Sequence, residues 1–135
     1  KMKIKNIWKD VQEPLEMHTD NRGSIVDIFY NDNIQHVAYI KSNKGALRGN
    51  HYHKETTQYV MVTKGVMKYW YKPLDNSDIS RFVLVRSGDL LETPPNEIHA
   101  MEFPEEYTEF IVFTEGTRGG KDYESDTFRT ESIIC

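Results

Sequence analysis

One cysteine, Cys135, stands among 135 residues, so neither an intrachain disulfide nor a thiolate metal cluster can form. Apolar runs are short: none exceeds four residues, Phe110-Ile111-Val112-Phe113 being one, and a bilayer-crossing helix needs about 20. No excess of positive charge is present. Seventeen basic residues face 21 acidic ones, for a net charge of −4. That balance argues against nucleic acid as a partner, while leaving room for a local basic pocket that binds one anion. Behind Lys1-Met2-Lys3-Ile4-Lys5 there is no apolar stretch of signal-peptide type, so a cytoplasmic protein without a membrane partner is expected. Internal repeats and Pro/Gly-rich linkers are lacking too, which leaves one domain over 1–135.

What the chain does have is aromatics, at 12%, and β-branched residues in short segments between turn signals. That pattern is the signature of an all-β sandwich or barrel. Strands are expected at Ser24–Tyr30, His36–Lys41, Gln58–Thr63, Val66–Lys72, Arg81–Val85, Asp89–Glu92 and Thr108–Thr114. The breaks between them, such as Asn31-Asp32-Asn33, Lys64-Gly65 and Pro94-Pro95-Asn96, supply residues that tolerate positive φ or pre-set a turn. Helical periodicity is absent apart from two stretches, Lys5–Gln12 and Gly119–Asp126, that have room for a short helical turn.

Three of the five histidines are placed meaningfully. In Gly49-Asn50-His51-Tyr52-His53-Lys54, a strand would point His51 and His53 the same way, because side chains repeat every two residues. An antiparallel neighbour would set Gln58 opposite them. His99 follows Gly88-Asp89-Leu90-Leu91-Glu92-Thr93-Pro94-Pro95-Asn96 after a proline turn. Three neutral imidazoles with open positions suit zinc, iron, nickel or manganese. The same residues equally suit a polar pocket that requires no cofactor. His18 and His36 read as ordinary surface or strand histidines.

These two stretches resemble the two-part signature of the cupin superfamily, a small double-stranded β-helix or jelly-roll barrel. His51, His53 and His99 fall on its three histidines, Gly65 on the closing glycine of the first motif, and Gly88 and Pro94 on the second. Gln58 stands where the family usually has glutamate, which weakens the pull on a dication. Asn96 replaces a turn glycine, and asparagine tolerates the left-handed conformation required there.

A narrower resemblance runs from Asp20 to Met101. Asp20-Asn21-Arg22-Gly23, Leu47-Arg48-Gly49-Asn50-His51-Tyr52-His53-Lys54, Gln58 and His99-Ala100-Met101 look like the nucleotide-sugar-modifying cupins. Those are the dTDP-4-dehydrorhamnose 3,5-epimerases and the dTDP-4-keto-6-deoxyhexose 3,4-ketoisomerases of deoxysugar and polysaccharide biosynthesis. The resemblance implies an isomerase in which His51 removes a proton beside the keto group. The enediolate is then reprotonated with help from His53 or Tyr123. It also implies that Arg22, Arg48 and Gln58, with Arg81 as a weaker candidate, hold the nucleotide sugar. A base could stack on Trp70 or Tyr71, although a core or interface place suits Trp70 better. In a metal-dependent alternative, a dioxygenase or small isomerase, His51, His53, Gln58 and His99 are the ligands. In a third, the pocket binds sugar without reacting. A homodimer is expected, with Tyr69, Trp70 and Tyr71 of Val66–Lys72 at the contact.

Overall fold

The computed structural model describes residues 1–75, 79–116, 122 and 124–135. They form twelve strands: β1 (Lys3–Asn6), β2 (Met17–Asp20), β3 (Gly23–Val26), β4 (His36–Asn43), β5 (Leu47–Tyr52), β6 (Thr57–Lys64), β7 (Val66–Pro73), β8 (Arg81–Arg86), β9 (Asp89–Thr93), β10 (Glu97–Glu102), β11 (Tyr107–Glu115) and β12 (Phe128–Arg129). Two antiparallel five-stranded sheets, ordered β1-β9-β6-β11-β4 and β12-β5-β10-β7-β8, face each other as a jelly roll, and β2-β3 is a separate hairpin. No α-helix occurs among the described residues, and Lys5–Gln12 runs from β1 into a turn.

Alternation explains most of these strands. In β4, His36, Ala38, Ile40 and Ser42 are the less exposed set, while Val37, Tyr39, Lys41 and Asn43 are exposed. The core fills the space between the sheets. Val60, Val62, Leu91, Phe110 and Val112 from the first sheet meet Met67, Tyr69, Val85 and Met101 from the second, with Phe103 beyond β10. Each such side chain contributes about 1.5–3 kcal/mol by leaving water.

The outer faces are covered as well. Over the first sheet, Phe29 packs edge-on against Tyr59 and Phe113, with ring centroids 5.0 and 4.9 Å apart. The expected strand at Ser24–Tyr30 therefore ends at Val26, and Ile28 and Phe29 instead lie over the sheet. Over the second sheet, Ile133 of the C-terminal segment packs on Trp70, Ile98 and Ala100.

This arrangement alters the expected role of Val66–Lys72. Tyr69 is fully enclosed in the core, and Trp70 is only 5% exposed on the opposite face, where its indole N–H donates to Glu102 Oε1 at 2.6 Å. The aromatic surface proposed for a subunit contact is thus already covered within one chain.

Candidate functional site

A polar cluster is built where β5, β6 and β10 end together. β5 carries His51, and His53 follows it. β10 carries His99, directly opposite His51 in the ladder. The approach is close enough to demand glycine at position 49. There φ is +89°, and a Cβ would sit 2.7 Å from the His99 carbonyl oxygen. The register shifts between His99 and Ala100, leaving Asn50 (φ 57°) as a bulged residue. Asn96, at φ 64°, adopts the left-handed conformation expected of it and donates its N–H to the His53 carbonyl at 2.7 Å.

The three imidazoles converge. Their ring centroids are 4.7–5.1 Å apart, and one nitrogen from each lies within 4.8 Å of the others. All three side chains are buried. Tautomers follow from the partners. His53 Nδ1 is 2.7 Å from the Asp126 carbonyl and His99 Nδ1 is 3.2 Å from the Glu97 carbonyl. A carbonyl only accepts, so both Nδ1 atoms carry hydrogen, and in the neutral ring Nε2 is the atom that holds the lone pair. His51 differs: its Nδ1 lies 3.4 Å from Arg129 Nη1, which can only donate.

Neighbouring groups frame this cluster. Tyr69 stacks parallel to His99 at 6.0 Å and hydrogen-bonds to the Thr93 hydroxyl. Burial pushes its phenol well above the usual range and keeps it neutral. Burial likewise raises the Glu97 carboxyl, opposed by a hydrogen bond from the Met2 N–H. Asp126 behaves differently. Burial acts to raise its carboxyl, but hydrogen bonds from the Lys54, Glu55 and Thr56 N–H groups and the Thr56 hydroxyl, all 2.8–2.9 Å, outweigh that and hold it low.

A cavity of about 120 Å³ opens beside the histidines, lined by His36, Ala38, Ile40, Arg48, Gly49, His51, Gln58, His99, Met101, Phe110 and Val112. Gln58 is buried and reaches it from β6, on the facing sheet, where its paired residues are Thr93 and Thr114. The expected antiparallel neighbour of the His-x-His segment is instead β10. Arg48 lies at the cavity's edge, its Nε on the Ser42 hydroxyl at 2.8 Å and Nη2 on the Lys41 carbonyl at 3.1 Å.

Two expected ligand arginines are placed elsewhere. Arg22 sits in the β2–β3 turn with its side chain 84% exposed, its Nη2 paired with Asp20 Oδ2 at 2.6 Å. Arg81 is exposed on the edge strand β8, away from the cavity lining. Tyr123 lies outside the described residues. Sequence reasoning missed Asp126 and Arg129, which belong to a segment with no strand periodicity, and His36, whose inward direction only the sheet geometry reveals.

The sequence from 18 to 116 matches the family described as polysaccharide biosynthesis C-terminal domain. No curated protein matches the chain significantly. Among solved structures, the fold is similar to that of the sugar 3,4-ketoisomerase QdtA from Thermoanaerobacterium thermosaccharolyticum in complex with TDP: TM-score 0.72, 19% identity, 96% of this chain and 88% of that one. For the TDP-quinovose 3,4-ketoisomerase WlaRB from Campylobacter jejuni the values are 0.73, 20%, 96% and 92%. For the dTDP-4-dehydrorhamnose 3,5-epimerase from Sulfolobus tokodaii they are 0.69, 20%, 88% and 76%. A family match over more than two thirds of the length shows that the chain belongs to the polysaccharide biosynthesis C-terminal domain family, and its histidine-lined jelly roll shares the fold of these structures.

Proposed function

We propose that the protein is an isomerase acting on a dTDP-4-keto-6-deoxyhexose, as a nucleotide-sugar epimerase or 3,4-ketoisomerase, with His51 as the base. The observation that carries this reading is the cavity bounded by His51, His99, Gln58 and Arg48. A hydrogen on the carbon next to a ketone is acidified, and an imidazole at a cavity wall is suited to take it. Arg48, fixed by Ser42 and the Lys41 carbonyl, presents a guanidinium suited to an anionic diphosphate at the mouth. His53, held by Asp126 in one tautomer, orients the cluster behind His51. No nucleic acid or membrane partner enters this reading. A cytoplasmic homodimer does, with the exposed Val37 and Tyr39 of the edge strand β4 offering apolar contact area.

The decisive measurement is solvent-deuterium incorporation into dTDP-4-keto-6-deoxyglucose. His51→Asn should lower it at least about a hundredfold while leaving the melting temperature and dTDP binding unchanged. Unchanged incorporation in the variant would remove His51 from the base role.

A second reading is favoured by the histidine spacing alone. His51, His53 and His99 fit a divalent ion, since the carbonyl bonds on Nδ1 of His53 and His99 are the outer contacts that orient metal-binding imidazoles. Such an ion would polarise a keto oxygen as a Lewis acid. The Arg129 guanidinium beside His51, and an amide at position 58 in place of a carboxylate, oppose added positive charge. Metal analysis after loading with zinc, iron, nickel or manganese decides: one equivalent per chain supports this reading, and none removes it.

A further inference from the structure

We infer that His36 is a catalytic residue: the acid that delivers a proton to the sugar carbon from the face opposite His51. This rests on the isomerase reading above and adds a residue and a stereochemical course to it.

Four observations point there. His36 lines the same cavity as His51, Gln58 and His99. It belongs to the inward set of β4, with Ala38 and Ile40. Its Nδ1 is buried and has no hydrogen-bond partner among the described residues, a cost that a folded chain normally avoids and that functional sites retain. Finally, it comes from the opposite wall. His51 is on β5 of one sheet and His36 on β4 of the other. Stacked sheets lie about 10 Å apart, so a sugar ring held between them presents one face to each histidine. The rest of the wall on that sheet is Ala38, Ile40, Gln58, Phe110 and Val112, four apolar side chains and a neutral amide, none of which serves as a proton donor to carbon.

The step balances without a co-reactant. His51 accepts the proton from the carbon beside the ketone, and the C–H electron pair moves into an enediolate. Protonated His36 then gives its proton to a carbon of that enediolate on the other face. Delivery to the carbon that lost its hydrogen restores the original ketone. With delivery to the former carbonyl carbon, the proton of the neighbouring hydroxyl passes to the former keto oxygen and the new ketone forms at the carbon that lost its hydrogen. His51 releases its proton to water and His36 regains one, so the sugar is isomerised with no net redox change. Because removal and delivery occur on opposite faces, the reprotonated carbon carries the new hydrogen on the side away from His51.

The test uses dTDP-4-keto-6-deoxyglucose in deuterium oxide, with His36→Gln and, as a second variant, His36→Asn, whose amide occupies the place of Nδ1. His51 can exchange its captured proton with solvent and return deuterium to the same face. The variants should therefore retain wash-in of deuterium into the starting sugar, within about threefold, while product formation falls at least about a hundredfold. Thermal melting and dTDP titration of both variants should match the parent protein. Full product formation by the variants, or equal loss of wash-in and product with melting unchanged, overturns the assignment. So does a product whose new hydrogen lies on the His51 side. Absence of wash-in with the parent protein overturns the isomerase reading itself, a result distinct from the others.

Discussion

The two ends of the barrel interior are made by the same strands and do different work. Along β6 the inward residues run from Gln58 to Val60 and Val62, and along β10 from His99 to Met101. β4 runs from His36 through Ala38 to Ile40. One end is thus a cluster of imidazole and amide groups, and the other is packed with Phe103, Phe110, Val62, Met67 and Val85. A side chain's place along a strand, rather than the strand it belongs to, decides whether it contributes stability or chemistry. Buried polar groups are costly unless paired, and the apolar end offsets that cost through burial.

The largest test of this division is Phe103→Ala. The side chain is buried, does not line the cavity and stacks on Phe110 at 5.7 Å. Urea denaturation should show a loss of about 3–5 kcal/mol, with proton exchange of substrate little changed in the fraction that remains folded. A loss below about 1 kcal/mol would mean that the apolar end does not carry the fold. Smaller is Ile133→Ala, which uncovers Trp70 without touching either end: about 2 kcal/mol, with a red shift in tryptophan emission. An unshifted spectrum would show that the C-terminal segment is not the cover.

The smallest effect concerns Asp126, which ties that segment to the polar end. Its folded carboxyl is held below its ordinary value of 3.8. Its contribution to stability is therefore complete above about pH 4 and disappears as pH falls through the lower folded value. Asp126→Asn should flatten that acid limb of the melting profile. An identical limb in the variant would assign it to other carboxylates.

How much of this could be read without coordinates differs by element. β6, β7, β8 and β11 were legible because each alternates or carries β-branched and aromatic residues over five or more positions, and β9 because its Leu90-Leu91 pair lies between turn signals. β10, Glu-Ile-His-Ala-Met-Glu, gave no alternation, since the core buries one face and Trp70 with Ile133 cover the other. β1 and β2 are short and polar, and only pairing makes them strands. The histidine triplet stood out because residue type and spacing carry its chemistry. Arg22 shared that local signal, yet its turn hands the guanidinium to Asp20. Asp126 and Arg129 act on residues more than 70 positions away, partly through a backbone carbonyl, and no local pattern encodes that.

The extra residue at Asn50 has a consequence for counting. In an unbroken strand, positions 48 and 51 differ by an odd number and point to opposite faces. Here Arg48 and His51 both border the cavity, because the bulge advances the parity of β5 by one between them. The spacing Arg-Gly-Asn-His is therefore a phase correction: with two intervening residues and a bulge, a cation and an imidazole share one wall. Deleting Asn50 alone would remove the bulge and the extra residue together, leaving Arg48 and His51 two positions apart on an unbroken strand and still on one face. It would also remove the carbonyl and amide that hold Thr130 and Ile133.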